Sequence, residues 1–488
     1  MTHTLTMSVS VVQRITTTLA ASIAAAFVCP AQPVTLVPGT VVTGQCQGHE
    51  SEPGCVLPNL FGPQGLTLAN NPAFPHYAHF VGSAQQTLNQ GVGTAIATQL
   101  AVLPIISPSS GFTFAYDSAS GVFVRSTTSF GPIYTERADT IGRGKVSFGL
   151  SYQRFRFGSL DGINIHNIPA VFSHVPGTGP NGADEPYEAD VIRTSNNLNL
   201  NMDQTMLYGT VGITNRLDIS VAIPLVSVRF GVTSDATIVQ VSGPTFVPAP
   251  GAPSVPNPHQ FTNGGLNNTY SSTGTAFGLG DVTVRIKENV FQAGGLSIAA
   301  AVDVRTASGN ARDFLGSGAV GVRPFVAISA GKRLSPHVNL GYQWNGSSIL
   351  AGNLTGTTVG ETNEVATIQT GPATSSRLPS QYFYSVGSDY GATKRLTLNF
   401  DYLGQVLVHA PRVFESTITT QNIPGGTGAL TLPTISAGVD TIGLNNAAIG
   451  FKYNLIDRIL FTADLLFRMD NRGLRQNVTP LIGVSYAF

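Results

Sequence analysis

Charge is what this sequence has least of. Only 11% of its 488 residues are Asp, Glu, Lys or Arg, against roughly 25% in soluble domains. The two signs balance at 26 each, which argues against nucleic acid as a partner, since that needs a basic face. Long apolar runs are missing too. After the N-terminus no stretch is free enough of polar residues to be a helical membrane span. The motifs of common enzymes are absent: there is no Gly-x-Ser-x-Gly elbow and no His-Glu-x-x-His. Cysteine is limited to three residues, too few for a metal site without other ligands close by. What remains is an ordinary 42% of hydrophobic residues and 54 glycines. Low charge, no internal spanning helix and much Gly suit a membrane β-barrel, in which apolar residues fall at every second position.

The last stretch carries that pattern most clearly. Ile482, Val484, Tyr486 and Phe488 alternate with Leu481, Gly483, Ser485 and Ala487. Chain ends are usually frayed and polar, whereas outer-membrane barrels close on a strand whose apolar face meets lipid. Tyr486 and Phe488 therefore read as the signal for the barrel assembly machinery. From Arg143 onward, strands of about 10–15 residues recur, long enough for a tilted bilayer span. Leu296, Ile298, Ala300, Val302 and Val304 share one face, with Asp303 and Arg305 on the other. Val282, Val284 and Ile286 oppose Asp281, Arg285 and Lys287; Leu398 and Phe400 oppose Asp401; Phe461, Ala463 and Leu465 oppose Asp464 and Arg468. Short turns at 214–218, 293–295, 332–336, 393–395 and 455–458 alternate with long connections at 158–194, 233–275, 347–378 and 410–440. Outer-membrane barrels show the same asymmetry. The expectation is an all-β, antiparallel transmembrane barrel of twelve strands, or fourteen if the hairpin flanking Asp117–Gly121 joins the wall. Pro224 is expected to mark a bulge, because the apolar parity shifts after it.

The N-terminal part divides differently. Arg14, the apolar run Ile15–Val28 and Cys29-Pro30-Ala31 read as a signal peptide, residues 1–31; a lipidated Cys29 is the lesser alternative. Cys46 and Cys55 then read as a disulfide in an oxidising periplasm. Leu88, Val92, Ile96, Leu100 and Leu103 predict a helix over Ala84–Leu103, started by Ser83 with Gln86 and stopped by Pro104. Gly91 and Gly93 weaken it. The segment 32–142 is either a plug in the lumen or a periplasmic piece, and 143–488 is the barrel.

Candidate site residues are few. Asp281, Arg285, Lys287, Asp303, Arg305, Asp401, Asp464 and Arg468 are expected to line the lumen; the competing reading is an ion-pair network that simply fills a polar interior. Gly177–Gly182 fits a dinucleotide-binding pattern by count only, since no strand precedes it and no helix follows. His76 and His79 have ligand-like spacing, but Pro75 and a loop setting favour solvated histidines. No catalytic residue, metal or cofactor is expected.

Residues Phe130–Phe157, beginning Gly131-Pro132-Ile133-Tyr134-Thr135-Glu136-Arg137, together with Asp161-Gly162, Gly278-Leu279-Gly280-Asp281 and the ending Gly483–Phe488, resemble outer-membrane proteins named for the MetA pathway of phenol degradation. The resemblance covers about 135–488. It implies a barrel that passes hydrophobic, often aromatic, compounds, akin to the long-chain fatty-acid transporters. Asn70–Ala73 is similar to a plug segment of those transporters. The expected partners are outer-membrane lipids, the assembly machinery and a small hydrophobic solute. The alternative function is a structural or adhesive barrel whose long loops bind external partners.

Overall fold

A computed structural model of the protein describes residues 46–62, 65–66, 68–69, 80, 84, 87–104, 106–107, 114–117, 122–125, 129–173, 186–247, 253–354, 357–362, 365–370, 372–422, 427–456 and 458–487. The readings at 1–31, Asn70–Ala73, His76, His79, Ser83, Gln86, 177–182 and Phe488 lie outside them.

Twelve antiparallel strands make the wall. They are β1 Val146–Arg156, β2 Val191–Gly212, β3 Leu217–Val239, β4 Thr283–Ala293, β5 Leu296–Arg305, β6 Gly321–Ala330, β7 Leu334–Asn345, β8 Ser380–Gly391, β9 Leu396–Thr419, β10 Thr431–Ile456, β11 Ile459–Arg468 and β12 Val478–Ala487. Each pairs with the next. The sheet closes where β12 returns to β1, with Ala487 opposite Ser147 and Leu481 opposite Gln153. Closure leaves the wall without an unpaired edge, which a bilayer core does not tolerate. The hairpin Phe114–Asp117 and Val122–Arg125 pairs only with itself, so the barrel has twelve strands and not fourteen.

The alternation expected from sequence sets the two faces. Phe148, Leu150, Ile286, Val302, Val326, Leu340, Phe400, Leu465, Ile482 and Val484 are exposed on the outside. Ser151, Gln153, Ser220, Lys287, Asn339, Ser385, Asn399 and Thr462 are buried inside. A soluble monomer does not carry so continuous an apolar exterior; a barrel in lipid does.

Four strands are far longer than a bilayer requires. β2, β3, β9 and β10 have 22, 23, 24 and 26 residues, against about 9–11 for a span. Their far halves stand beyond the lipid-facing band, and much of 233–275 and 410–440, expected as loop, is strand. Pro224 makes no bulge, because β3 pairs with β2 without a register shift from Asp218 to Val239. The parity shift has another cause. Below Pro224 the apolar side chains Ile219, Val221 and Ile223 face outward; above it Val226, Val228, Phe230 and Val232 are buried inside, while Arg229, Thr233 and Asp235 face out. The backbone runs on unchanged while its surroundings invert from lipid outside to water outside. Pro224 sits where the second neighbour of β3 changes from β4 to the segment Asn267–Leu279.

The projecting half of the wall encloses the N-terminal segment. Val56, Leu57, Leu60, Phe61, Leu88, Val92 and Ile96 form one core with Leu198, Leu200, Phe230, Val232, Phe261, Val413 and Ile435. The expected helix over 84–103 is helical at Ala84, wound as a wider π-helix over Thr87–Val92, and continues as the α-helix α1 over Gly93–Leu100, three residues short of Leu103. At Gly91 a Cβ would lie 2.6 Å from the Cβ of Ala437, so the missing side chain lets the turn lie against β10.

Candidate functional site

Past α1 the chain enters the lumen. Residues 129–142 then form a strap through its short-turn half, held by lumen-facing side chains of the wall. Asp401 on β9 accepts from the backbone N–H groups of Ile133 at 3.3 Å and Tyr134 at 3.0 Å, and from the Thr135 hydroxyl. The Glu136 N–H donates to Asn339 on β7 at 2.7 Å, Ala138 N–H to Ser329 on β6 at 2.9 Å, and Ile141 N–H to Asp218 on β3 at 3.0 Å. Lys452 on β10 donates to the Pro132 carbonyl at 2.6 Å. The Tyr134 hydroxyl accepts from Gln153 on β1 at 2.8 Å, so the strap touches opposite sides of the wall. It is irregular chain with bends at 133–135 and 138–139; the Ser107 N–H donates to the Ile133 carbonyl at 3.0 Å, and wall side chains satisfy many of the backbone groups a sheet would otherwise pair.

Charge fixes the middle of the strap. Lys287 donates to Glu136 at 2.7 Å, to the Arg137 carbonyl at 3.0 Å and to the Asp139 carbonyl at 2.9 Å. Arg285 ion-pairs with Glu136 and grips Asp303 through two bonds of 2.6 and 2.9 Å. Arg323 closes the row on Asp303, with its Nε at 3.0 Å. Ser107 also donates to Glu136, tying the strap to the descending segment. Burial alone would raise the Glu136 carboxyl; Lys287 and then Arg285 outweigh it and hold it down at about 2. A second latch joins Arg137 to Asp389 at 3.3 Å, and Asp389 is also bonded to His337. In the projecting part, Asp313 is raised by burial and by the nearby Glu52.

Between the strap and the descending residues Leu100–Ser107 lies a cavity of about 170 Å³. Its apolar and aromatic lining is Leu103, Ile106, Met206, Phe325, Phe383 and Leu403, drawn from opposite parts of the wall and the descending segment. The rings of Phe325 and Phe383 meet edge to face at 5.7 Å. The Arg285 guanidinium lies 4.9 Å over Phe325, and that of Arg323 lies 4.8 Å over Phe383. The charges in the lining, Glu136, Asp281, Asp303, Arg285, Arg305 and Arg323, are three of each sign.

Of the residues singled out by sequence, Asp281, Arg285, Asp303 and Arg305 line this cavity. Asp281 accepts from the backbone of Gly309 at 3.0 Å and Ser317 at 2.7 Å, and Arg305 donates to the Ala101 carbonyl at 2.7 Å. Lys287 and Asp401 hold the strap. Asp464 is buried on the inner face of β11, and Arg468, opposite the cavity-lining Asn446, donates to Ser159 at 3.0 Å. Cys46 and Cys55 are disulfide-bonded. Tyr486 faces outward against Phe148, ring centres 5.7 Å apart. Sequence reasoning missed Glu136, Arg137, Arg323, Asp389 and Lys452. The one signal for the first two was three charges within four residues, Glu136, Arg137 and Asp139, after the ten uncharged residues 126–135.

A closed antiparallel wall with an apolar outside and a polar, partly occupied inside is the fold of outer-membrane channels. No family model and no curated protein matches the chain. Among solved structures, an outer membrane channel from Pseudomonas putida F1 is similar over 72% of this chain and 98% of its own, at 12% identity and a TM-score of 0.39. The toluene transporter TodX of P. putida is similar over 70% and 89%, at 9% identity and a TM-score of 0.29. A FadL homologue of Pseudomonas aeruginosa is similar over 86% and 98%, at 8% identity and a TM-score of 0.29. The strand pairing, rather than these distant likenesses, defines the wall.

Proposed function

We propose that the protein is a passive outer-membrane channel for small hydrophobic or aromatic compounds, gated by its own strap. The lumenal cavity carries this reading. Its free space is of the order that takes one benzene ring, about 150 Å³ in an engineered apolar cavity. Its aromatic residues offer ring contacts, and its matched charges leave no strong field to select an ion. Solute would enter from the long-loop end, rest in the cavity, and leave when the strap yields. In this reading outer-membrane lipids cover the exterior, and the terminal strand with Tyr486 and Phe488 is the element the assembly machinery engages. The adhesive alternative needs loops independent of the fold. Phe261, within one of the longest connections, is fully buried in the core, which weighs against it.

The test is solute flux into liposomes carrying the purified barrel. Neutral single-ring compounds should enter faster than ring-bearing anions of the same size, and deletion of 32–142, which removes the strap, should raise the flux. Flux no greater than in protein-free liposomes would overturn the channel. Equal flux with and without 32–142 would remove the gating role.

A further inference from the structure

The outer face of β1–β3 changes character abruptly with height. Along β1 the outward residues are Val146, Phe148, Leu150, Tyr152, Arg154 and Arg156. Along β3 they are Leu217, Ile219, Val221, Ile223 and Leu225, then Ser227 and Arg229. Cross-strand register places Arg154, Asp203 and Ser227 in one row, and Arg156, Asn201 and Arg229 in the row above. Strands lie about 4.8 Å apart, so Arg156 and Arg229 are roughly 10 Å apart on the same surface. Three guanidinium groups therefore stand directly above the apolar band.

Their charge is poorly matched. Asp203 pairs with Arg154 at 3.4 Å and Arg229 at 3.3 Å, and also accepts from the Tyr152 hydroxyl at 2.6 Å. Arg156 makes no ion pair among the described residues. The patch is three cations to one anion, on a chain with 26 charges of each sign in all. Beneath it the surface is built for acyl chains, with Phe148 and Leu150 exposed, and beside its lower row Phe277, opposite Ser227, is 75% exposed. The interface further round the wall is different. There Tyr342, Trp344 and Tyr382 cluster with ring centres 4.6 and 4.9 Å apart, an aromatic belt of the ordinary kind.

We propose that Arg154, Arg156 and Arg229 hold the phosphate of a multiply acylated, phosphorylated lipid in the leaflet at the long-loop end. In barrels of this design that end faces the cell exterior. Arginine presents a planar fork that matches phosphate oxygens two at a time. Basic groups at the level of anionic headgroups recruit such lipids electrostatically, and the apolar face below accepts the tails. The site is independent of the lumen and stands whether or not the channel passes aromatic solutes.

The test uses the delipidated full-length protein in neutral detergent, titrated with bisphosphorylated lipid A and followed by native mass spectrometry. The wild type should bind it at least about tenfold tighter than the triple variant R154Q/R156Q/R229Q, and also tighter than it binds the dephosphorylated lipid. R156Q alone removes no ion pair and should weaken binding several-fold, which keeps the test open should the triple variant fail to fold. Equal binding by wild type and R156Q, or equal binding of the lipid with and without phosphate, would overturn the assignment. A third arm adds millimolar inorganic phosphate. Lipid that stays bound supports a lipid site, whereas complete displacement would mean the arginines hold free phosphate and would overturn it.

Discussion

Replacing Glu136 with Ala is the sharpest test of the strap. The carboxylate is buried and sits between Lys287 and Arg285. Removing one partner of a buried pair costs about 3–5 kcal/mol, because the other charge is left uncompensated. Here the loss falls at the lower end. Arg285 keeps both bonds to Asp303, and Lys287 keeps the carbonyls of Arg137 and Asp139. About 3 kcal/mol of strap anchoring corresponds to roughly a hundredfold rise in the detached population. Hydrogen exchange reads it directly, since the amides of Ile133, Tyr134, Ala138 and Ile141 donate to wall side chains. They should exchange about a hundredfold faster in E136A, with β5 and β11 unchanged, and liposome flux should rise with them. The same group sets a pH dependence. A carboxyl held at about 2 in the folded protein, against about 4.3 in a free chain, lends stability that is fully present above the free value and fades as pH falls toward 2. Strap exchange in the wild type should therefore depart from that of the wall only below about pH 4. Strap amides that exchange no faster in E136A, while the barrel remains folded by heat-modified mobility, would refute the latch.

Other outcomes follow from single contacts. Gly387→Val should expel the strap, because a Cβ there would lie 2.5 Å from the Thr135 hydroxyl and against Asp401; the readout is flux and protease access at 129–142. Cys46→Ser should lower the stability of the N-terminal segment by about 2–3 kcal/mol, as expected for a bridge with a sequence separation of 9, seen as a lower thermal midpoint that reductant reproduces in the wild type. Asp190→Ala should loosen the long-loop rim. Its carboxylate accepts from Ser242, Asn257 and His259 at 2.7 to 3.0 Å, and leaving those buried groups without an acceptor costs about 1–3 kcal/mol for each one unsatisfied; limited proteolysis around 240–260 checks it.

Much of the wall was legible because a barrel writes itself at period two. The outward set from Leu296 to Val304, and the apolar positions of the last strand, needed no tertiary information. The turn asymmetry supplied the strand count once the short hairpin at 114–125 stood aside. The far halves of the four long strands were unreadable for a physical reason. Asn197, Asn199, Thr233 and Asp235 face water there, and a polar outward face beyond the bilayer has the composition of a loop. Pro224 showed the inversion of environment, but a parity shift also fits a bulge, and sequence cannot choose between them. The strap hid differently. Its bonds run from backbone to distant side chains such as Asp401 and Asn339, so it has no periodicity to detect, and its partners lie up to 322 residues away.

The path of the N-terminal segment constrains how the barrel is built. The chain runs from the disulfide loop down through the lumen and only then joins β1 at Val146, the strand that β12 must find to seal the wall. The described parts of this segment at 46–62, 87–104 and 129–142 are thus the cargo of a closing ring. Once the seam between Ser147 and Ala487 has zipped, a loop already knotted by sulfur would have to squeeze past the latched strap to get in. The expected order of biogenesis seats the N-terminal lobe in the nascent open sheet before the seam is drawn shut around it.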